Sequence, residues 1–226
     1  DAPVFPVSAL TGVGMEELLK AMDSALDEMP DKRDLGRPRL PVDRSFTISG
    51  FGTVVTGTLV DGTLRVGQEV ELLPEGLKAR IRGLQTHQAA GDLAFPGTRV
   101  AVNLGGVSHD EVSRGDVLTT PGWLSAGDAI DVSLRLIPEA PRSIRHNATV
   151  TFHVGAAETP ARIRLLAVDQ MAPGDTSFAQ IKLQDPMPVV KDDPFVIRDS
   201  NHTLGGGVVL EAHARRHRRK HQLTLD

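Results

Sequence analysis

The chain of 226 residues contains no cysteine and no tyrosine, and it has a single tryptophan. Without cysteine it has no disulfide framework and no thiolate metal site, which suits a cytoplasmic protein. Aromatic residues at 4 % argue against platforms for stacking nucleic-acid bases. The net charge of -4 excludes the strongly basic surface of an obligate nucleic-acid binder, so any contact with nucleic acid is expected to be local.

Long hydrophobic runs are also missing from the sequence. No apolar run approaches the length that spans a bilayer, and the N-terminus lacks a signal-peptide pattern. We therefore expect no membrane partner. The histidines do not have the paired spacing of metal ligands, so no metal site is predicted at His87, His109, His146 or His153.

The stretch GFGTVVTG at residues 50–57 has the spacing of a phosphate-binding loop without its chemistry. Gly52 and Gly57 fit G-x-x-x-x-G, but a P-loop continues with the Lys that reaches the phosphates, and Thr58 stands there instead. The dinucleotide pattern G-x-G-x-x-G fails because Val55 occupies its third glycine. Since the stretch is rich in Val and Thr, it predicts short strands punctuated by glycine.

Residues 1–30 differ from the rest of the chain. An apolar run at 4–7 indicates the end of a strand, and a turn follows it. Apolar residues then recur at helical spacing: Met15, Leu18, Leu19, Met22, Leu26 and Met29. Because one strand and one helix are too small to fold alone, we interpret this segment as the C-terminal strand and helix of a preceding domain. A charged linker at 31–38 follows it.

The remaining sequence predicts two all-β domains. In residues 39–122, short runs that alternate apolar and polar residues are separated by turn residues, and residues 123–213 repeat this organisation. The predicted fold class is therefore mostly β, with two consecutive small antiparallel β-barrels or sandwiches after a short α/β remnant. The basic run in 214–226 is interpreted as an extension towards missing C-terminal domains.

Three stretches resemble the translational GTPases of the elongation factor Tu superfamily. FTISGFGTVVTGTLVDGTLRVGQEVELLP resembles their second domain, and DPFVIRDSNHTLGGGVVLE resembles the end of their third domain. VSALTGVGMEELL resembles the end of their GTP-binding domain, which implies that Ser8, Ala9 and Leu10 are a remnant of the guanine contact. The alternative for Ser8, Ala9 and Leu10 is a turn that caps the following helix.

Within this superfamily, the chain is similar to the selenocysteine-specific elongation factor, the SelB type. The pair Asp43-Arg44 precedes the Phe-Thr segment of the first barrel, and the second barrel carries Arg-His-Asn at 145–147 and HVGAAE at 153–158. The basic run fits a junction to winged-helix domains. Another translational GTPase, such as a general elongation factor or an initiation-factor relative, is the alternative.

Arg44 is the most informative single residue. It shares the apolar phase of its strand with Val42, Phe46 and Ile48, and a charge on a core-facing position is costly unless it is paired or meets water in a pocket. Asp43 points to the other face of an ideal strand, but a bulge would bring both residues to one site. A surface pair of Arg44 with Asp43 is the alternative.

The resemblance implies that Asp43, Arg44 and Arg99 border the pocket for the esterified amino acid. There the general factor has acidic residues and an asparagine, so this chain has two additional cations. A selenol is a stronger acid than a thiol, whose pKa is about 8.5, so selenocysteine is largely anionic at neutral pH. Two guanidinium groups suit this anion, and a neutral serine would leave them unpaired.

Two other basic regions are candidates for contacts with RNA. Arg142, Arg145 and His146 are placed to contact a tRNA backbone, although a solvated loop is an equally good interpretation. The basic run ARRHRRKH has a solvated linker as its alternative.

The sequence thus predicts the aminoacyl-tRNA-binding part of a selenocysteine-specific factor, with selenocysteinyl-tRNA and the ribosome as partners and mRNA as a partner of the missing domains. We expect no catalytic residue and no cofactor in this chain, because GTP and Mg²⁺ belong to the P-loop domain of the parent GTPase. An unrelated barrel, such as that of a flavin-binding reductase, and a purely structural fragment are the remaining alternatives.

Overall fold

The computed structural model describes residues 3–28 and 35–215. The chain divides into two compact units, residues 1–34 and 35–226. In the described part of the first unit, the helix α1 (Met15–Asp27) is the only regular element. No helix among the described residues is long and apolar enough to cross a membrane.

The strand expected at residues 4–7 is not formed, since residues 3–14 adopt turns and irregular structure. A strand needs a neighbouring strand to pair its N–H and C=O groups, and residues 3–28 supply none. Helix α1 has the predicted apolar periodicity, but none of its side chains is buried. Met29, the last residue of the predicted periodic set, lies outside the described residues.

The second unit consists of strands joined by short turns. The first nine strands are β1 (Arg39–Ile48), β2 (Gly52–Thr58), β3 (Leu64–Arg65), β4 (Glu69–Leu73), β5 (Leu77–Thr86), β6 (Ala89–Gly91), β7 (Leu93–Ala94), β8 (Arg99–Gly105) and β9 (Val117–Thr119). The next eight are β10 (Gly127–Leu136), β11 (Ile144–Arg145), β12 (Ala148–Val154), β13 (Ala157–Leu165), β14 (Gln170–Met171), β15 (Thr176–Met187), β16 (Pro194–Arg198) and β17 (Thr203–Glu211). A 3-10 helix, His109–Glu111, precedes β9.

The strands form two closed antiparallel barrels. The first has the order β4-β9-β1-β2-β8-β5, closes through the pairing of β4 with β5, and continues from β5 into β6. The second has the order β10-β15-β13-β12-β16-β17 and closes through β17 and β10. Two small ribbons, β3-β7 and β11-β14, lie beside these rings. The architecture confirms the predicted mostly-β class with two consecutive antiparallel barrels.

Each barrel has its own hydrophobic core, which follows the alternation of its strands. The first core contains inward-facing residues of six strands, among them Leu40, Val55, Leu72, Ile81, Val102 and Leu118. The second contains, among others, Ile130, Leu134, Phe152, Ile163, Ile181 and Ile197. The rings of Phe152 and Phe195 stack at 5.1 Å between centroids. Because every second residue is apolar, each strand buries one face and leaves the other for contacts with solvent or ligands.

The two barrels meet along the start of β1. Arg39 donates from Nη1 to Oδ2 of Asp193 at 2.8 Å, and the two side chains are only 12 % and 13 % exposed. The turn between β12 and β13 also reaches this region, since a Cβ on Gly155 would lie 3.2 Å from Cβ of Pro41. A nearly buried ion pair has little solvent screening, so removal of one partner alone would be costly.

A β-bulge divides β1 at Asp43. Val42 pairs with Gly57 of β2 while Arg44 pairs with Thr56, so Asp43 is the additional residue. The bulge changes which side chains face the barrel. Leu40 and Val42 before it are fully buried, whereas Arg44 after it is exposed.

The predicted core-facing phase is therefore wrong beyond Val42. Phe46 is 37 % exposed and Ile48 is 41 % exposed, although both share the apolar alternation of Leu40 and Val42. The bulge explains the difference, because one additional residue shifts the alternation of a strand relative to its neighbour.

Gly57 permits this bulge. A Cβ at Gly57 would lie 2.2 Å from the carbonyl oxygen of Pro41 and 2.8 Å from Cδ2 of Leu40. Backbone atoms of a paired strand cannot move away without breaking the ladder, so the position has no room for a side chain. This close approach explains why the position is a glycine.

We expect Gly57→Ala to lower the free energy of unfolding of the chain by about 2–3 kcal/mol, since the methyl group would force β1 away from β2. Gly83→Ala is the matched control, because the nearest atom to its added Cβ is 4.0 Å away. The control should leave stability unchanged or raise it by up to about 1 kcal/mol. Urea unfolding measures both, and equal stability of the two variants would contradict the tight contact with Pro41.

Candidate functional site

The bulged residue Asp43 forms a two-pronged ion pair with Arg99 of β8. Nη1 of Arg99 donates to Oδ2 of Asp43 at 2.5 Å, and Nη2 donates to Oδ1 at 3.0 Å. The planar guanidinium matches the two carboxylate oxygens, so this arrangement fixes the orientation of both groups. The pair is open to solvent, with Asp43 27 % and Arg99 57 % exposed.

Thr56 of β2 completes the hydrogen bonding of this carboxylate. Its Oγ1 donates to Oδ1 of Asp43 at 2.6 Å, and Nη2 of Arg99 lies 3.5 Å from the same hydroxyl oxygen. Thr56 was not among the predicted site residues. The sequence contains no signal for it, because its position depends on the register that the bulge sets between β1 and β2.

These contacts lower the pKa of Asp43. Partial burial by itself raises the pKa of this carboxyl, but the hydrogen bonds from Arg99 and Thr56 and the charges of Arg99 and Arg44 outweigh it. The net effect holds the pKa of Asp43 below its ordinary value. Conversely, the hydrogen bond to Asp43 and its negative charge raise the pKa of Arg99. Both groups are therefore charged at neutral pH.

Arg44 lies beside this pair but does not share it. It is the cross-strand partner of Thr56, it is exposed, and its charge contributes to the lowered pKa of Asp43. Among the described residues, none forms a hydrogen bond or an ion pair with the Arg44 guanidinium. Two guanidinium groups and one carboxylate leave one positive charge in excess. Because Arg99 is bonded to Asp43, Arg44 is the group that remains available to a ligand.

The register of three strands places this cluster on the outer face of the first barrel. Arg44, Thr56 and Ala101 form one row across β1, β2 and β8. Phe46, Val54 and Asn103 form the next row on the same face. Arg44 and Phe46 thus occupy neighbouring rows of this face, and because Phe46 is partly exposed the face offers both charge and apolar surface to a small side chain. The structure brings together Asp43, Arg44 and Arg99, as the sequence predicts.

The bulge considered in the sequence analysis is present, but the reason given for singling out Arg44 is wrong. Arg44 does not occupy a core-facing position, because the bulge shifts it to the exposed face. The alternative, a surface pair of Arg44 with Asp43, is not formed either, since the carboxylate of Asp43 is hydrogen-bonded to Arg99 and Thr56.

Of the three residues predicted to contact tRNA, two have a partner within the second barrel. Nε of Arg142 lies 3.6 Å from Oδ2 of Asp199, and Nδ1 of His146 lies 3.1 Å from the carbonyl oxygen of Leu165. Arg145 is exposed on β11. His146 therefore has a structural contact, and Arg142 and Arg145 are the two members of this set whose side chains are exposed.

In the first unit, Ser8, Ala9 and Leu10 lie in a turn. The hydroxyl of Ser8 accepts the N–H of Thr11 at 3.3 Å, and its carbonyl accepts the N–H of Gly12 at 2.8 Å. The N-cap of α1 is Gly14, so the suggested capping role of this segment is wrong. The guanine contact stays a prediction.

Within residues 3–28 and 35–215, no cluster of three or more histidine, aspartate or glutamate side chains is arranged to hold a metal ion. Of the basic run in 214–226, only Ala214 and Arg215 lie within these residues, and the carbonyl of Arg215 accepts a hydrogen bond from Gln180 at 2.8 Å.

Comparison with known proteins assigns both barrels to families. Residues 52–119 match elongation factor Tu domain 2, and residues 127–216 match the β-barrel domain of the selenocysteine-specific elongation factor. A selenocysteine-specific elongation factor of Desulfomicrobium baculatum is 41 % identical over 223 residues, covering 96 % of this chain and 35 % of that protein. The chain therefore spans about a third of the length of this curated relative.

A solved structure shows the same fold. The crystal structure of translation elongation factor SelB from Methanococcus maripaludis, in its apo form, superposes with a TM-score of 0.80 at 24 % sequence identity. The match covers 94 % of this chain and 51 % of that chain. The chain therefore belongs to the selenocysteine-specific elongation factor family, of which it carries the two β-barrel domains.

Proposed function

We propose that this chain is the aminoacyl-tRNA-binding part of a factor that delivers selenocysteinyl-tRNA to the ribosome in a GTP-dependent way. The observation that carries the proposal is the pairing of Asp43 with Arg99 on the outer face of the first barrel, beside Arg44, which pairs with none of the described residues. The relative from Desulfomicrobium baculatum, which is named a selenocysteine-specific elongation factor, supports this proposal. Such delivery takes place in the cytoplasm.

The charge of the cluster suits the side chain of selenocysteine. A selenol is more acidic than a thiol, whose ordinary pKa is about 8.5, so at neutral pH the ligand presents a selenolate anion. The two guanidinium groups and the single carboxylate leave the cluster with one excess positive charge. A monoanionic ligand neutralises this charge. Hydrogen bonds between such charged groups contribute roughly 1.5–3 kcal/mol each.

The same cluster disfavours serine. A seryl ester would bring a neutral hydroxyl against Arg44 and Arg99 and would displace water from them without replacing its hydrogen bonds. Desolvating a guanidinium without a partner costs free energy, so the difference between the two ligands exceeds the gain from selenium alone. Discrimination is required because the two amino acids differ by one atom.

The other contacts of the whole factor belong to the same proposal. We assign tRNA-backbone contacts to Arg142 and Arg145 of the second barrel and a guanine contact to the turn at Ser8, Ala9 and Leu10. GTP and Mg²⁺ would be bound by a P-loop domain, and mRNA by further C-terminal domains. None of these four assignments involves the cluster at Asp43.

A translational GTPase domain without selenocysteine specificity is the second candidate function. The match of residues 52–119 to elongation factor Tu domain 2 favours it, because that domain is not specific to one amino acid's factor. In this case Asp43 and Arg99 would form a surface ion pair with little effect on the choice of ligand.

The two candidates are separated by replacing the arginines in the full-length factor. We expect Arg44→Ala and Arg99→Ala each to weaken binding of selenocysteinyl-tRNA about tenfold to hundredfold more than binding of seryl-tRNA on the same tRNA body. The tRNA body contributes equally to both complexes, so only the side chain differs. Lysine at either position should restore part of the loss, because it keeps the charge without the planar fork.

Arg80→Ala is the matched control for this experiment. Arg80 lies on β5 of the same barrel and pairs with Glu69 at 3.2 Å. We expect Arg80→Ala to change neither the affinity for selenocysteinyl-tRNA nor the affinity for seryl-tRNA. If Arg44→Ala and Arg99→Ala weaken both tRNAs equally, the arginines contact phosphates or support the fold, and the proposal of a selenolate site is wrong.

We also expect the chain by itself to hydrolyse no GTP. Its sequence has no Gly-x-x-x-x-Gly-Lys-Ser/Thr segment, since Thr58 follows Gly57, and phosphoryl transfer needs the P-loop lysine and Mg²⁺. Release of phosphate from GTP is measured with the purified chain and with a blank that contains no protein. Turnover above the blank would contradict the assignment of GTP chemistry to another domain.

A further inference from the structure

We propose that Thr56 is a positioning residue for this site, which keeps the Asp43 carboxylate on Arg99 and so leaves Arg44 available to an anionic ligand. The inference rests on the proposed function, because it concerns the same site. It assigns a role to a residue that does not itself need to touch the ligand.

Protein donors occupy most of the accepting positions of the Asp43 carboxylate. A carboxylate has about four positions at which it accepts hydrogen bonds. Three protein donors point at Asp43: Nη1 and Nη2 of Arg99 and Oγ1 of Thr56. Oδ1 accepts two of these bonds, at 2.6 Å and 3.0 Å. Oδ1 is therefore filled, and one accepting position, on Oδ2, remains for a further donor such as Arg44.

Two arginines, Arg44 and Arg99, compete for the one carboxylate of Asp43. Arg44 is adjacent to Asp43 in sequence and close enough for its charge to lower the pKa of Asp43, yet it forms no hydrogen bond with it. If the carboxylate turned to Arg44, the pair would neutralise the group that the ligand needs. Thr56 opposes this rotation because its hydroxyl holds Oδ1 on the side of Arg99.

The geometry of β2 places the Thr56 hydroxyl close to Asp43. Thr56 is the cross-strand partner of Arg44 on one side and of Ala101 on the other, so its side chain lies on the outer face between β1 and β8. The bulge places Asp43 one residue before Arg44, within reach of this hydroxyl. A threonine here has few rotamers, so its hydroxyl is held in place at low entropic cost.

Thr58 offers a matched control. It lies two residues farther along β2 and is the cross-strand partner of Arg99. Its hydroxyl has no hydrogen-bond partner among the described residues. Thr56→Val and Thr58→Val therefore remove the same group from the same strand, and only the first change breaks a bond to Asp43.

The experiment uses the full-length factor with Thr56→Val, Thr56→Ser and Thr58→Val. The pKa of Asp43 is measured by NMR titration of its carboxyl carbon, and the affinities for selenocysteinyl-tRNA and seryl-tRNA give a discrimination ratio. We expect Thr56→Val to raise the pKa of Asp43 towards its ordinary value of about 3.9 and to lower the ratio about threefold to tenfold. Thr56→Ser should restore both, and Thr58→Val should change neither.

Each result decides the inference. It is overturned if Thr56→Val leaves the ratio unchanged while Arg44→Ala and Arg99→Ala lower it, or if Thr58→Val has the same effect as Thr56→Val. If Arg44→Ala and Arg99→Ala also leave the ratio unchanged, the proposed function fails, and the pKa of Asp43 alone still shows whether Thr56 positions it. Should Thr56→Val not fold, Thr56→Ala removes the same hydroxyl and takes its place.

Discussion

The bulge at Asp43 is the constraint on which the site depends. Before it, β1 belongs to the joint between the barrels, where Arg39 pairs with Asp193 and Pro41 lies against the turn at Gly155. After it, the same strand presents Arg44 on the outer face. The lack of a side chain at Gly57 allows β1 and β2 to approach at this point. One additional residue thus connects the packing of the barrels to the placement of charge.

The two arginines of the charged cluster, Arg99 and Arg44, have different roles. Arg99 is held by the Asp43 carboxylate, so it is fixed in direction and partly neutralised. Arg44 keeps its full charge, because none of the described residues pairs with it. A cluster of two free arginines would repel itself and attract any phosphate. A cluster with one excess charge, next to the ring of Phe46, is better matched to a small monoanionic side chain.

The sequence is sufficient for the fold class because alternation and turn residues are local signals, and the cores at Leu40, Ile81, Ile130 and Phe152 follow them. It is not sufficient where the outcome depends on register. The alternation through Arg44, Phe46 and Ile48 predicted buried residues, but the bulge exposes all three. Thr56 gave no signal for the same reason. The resemblance to a family, not the alternation, correctly grouped Arg99 with Asp43.

The charge of the ligand is the central claim, and cysteine tests it most directly. Cysteinyl and selenocysteinyl groups are attached by an amide bond, which survives alkaline pH, to the same tRNA body, and their affinities for the full-length factor are measured across pH. The ligand amine titrates equally in both. We predict that cysteinyl-tRNA binds more weakly near neutral pH and that the difference closes as pH rises through about 8.5, where the thiol ionises. A difference that stays constant across this range would contradict recognition of an anion.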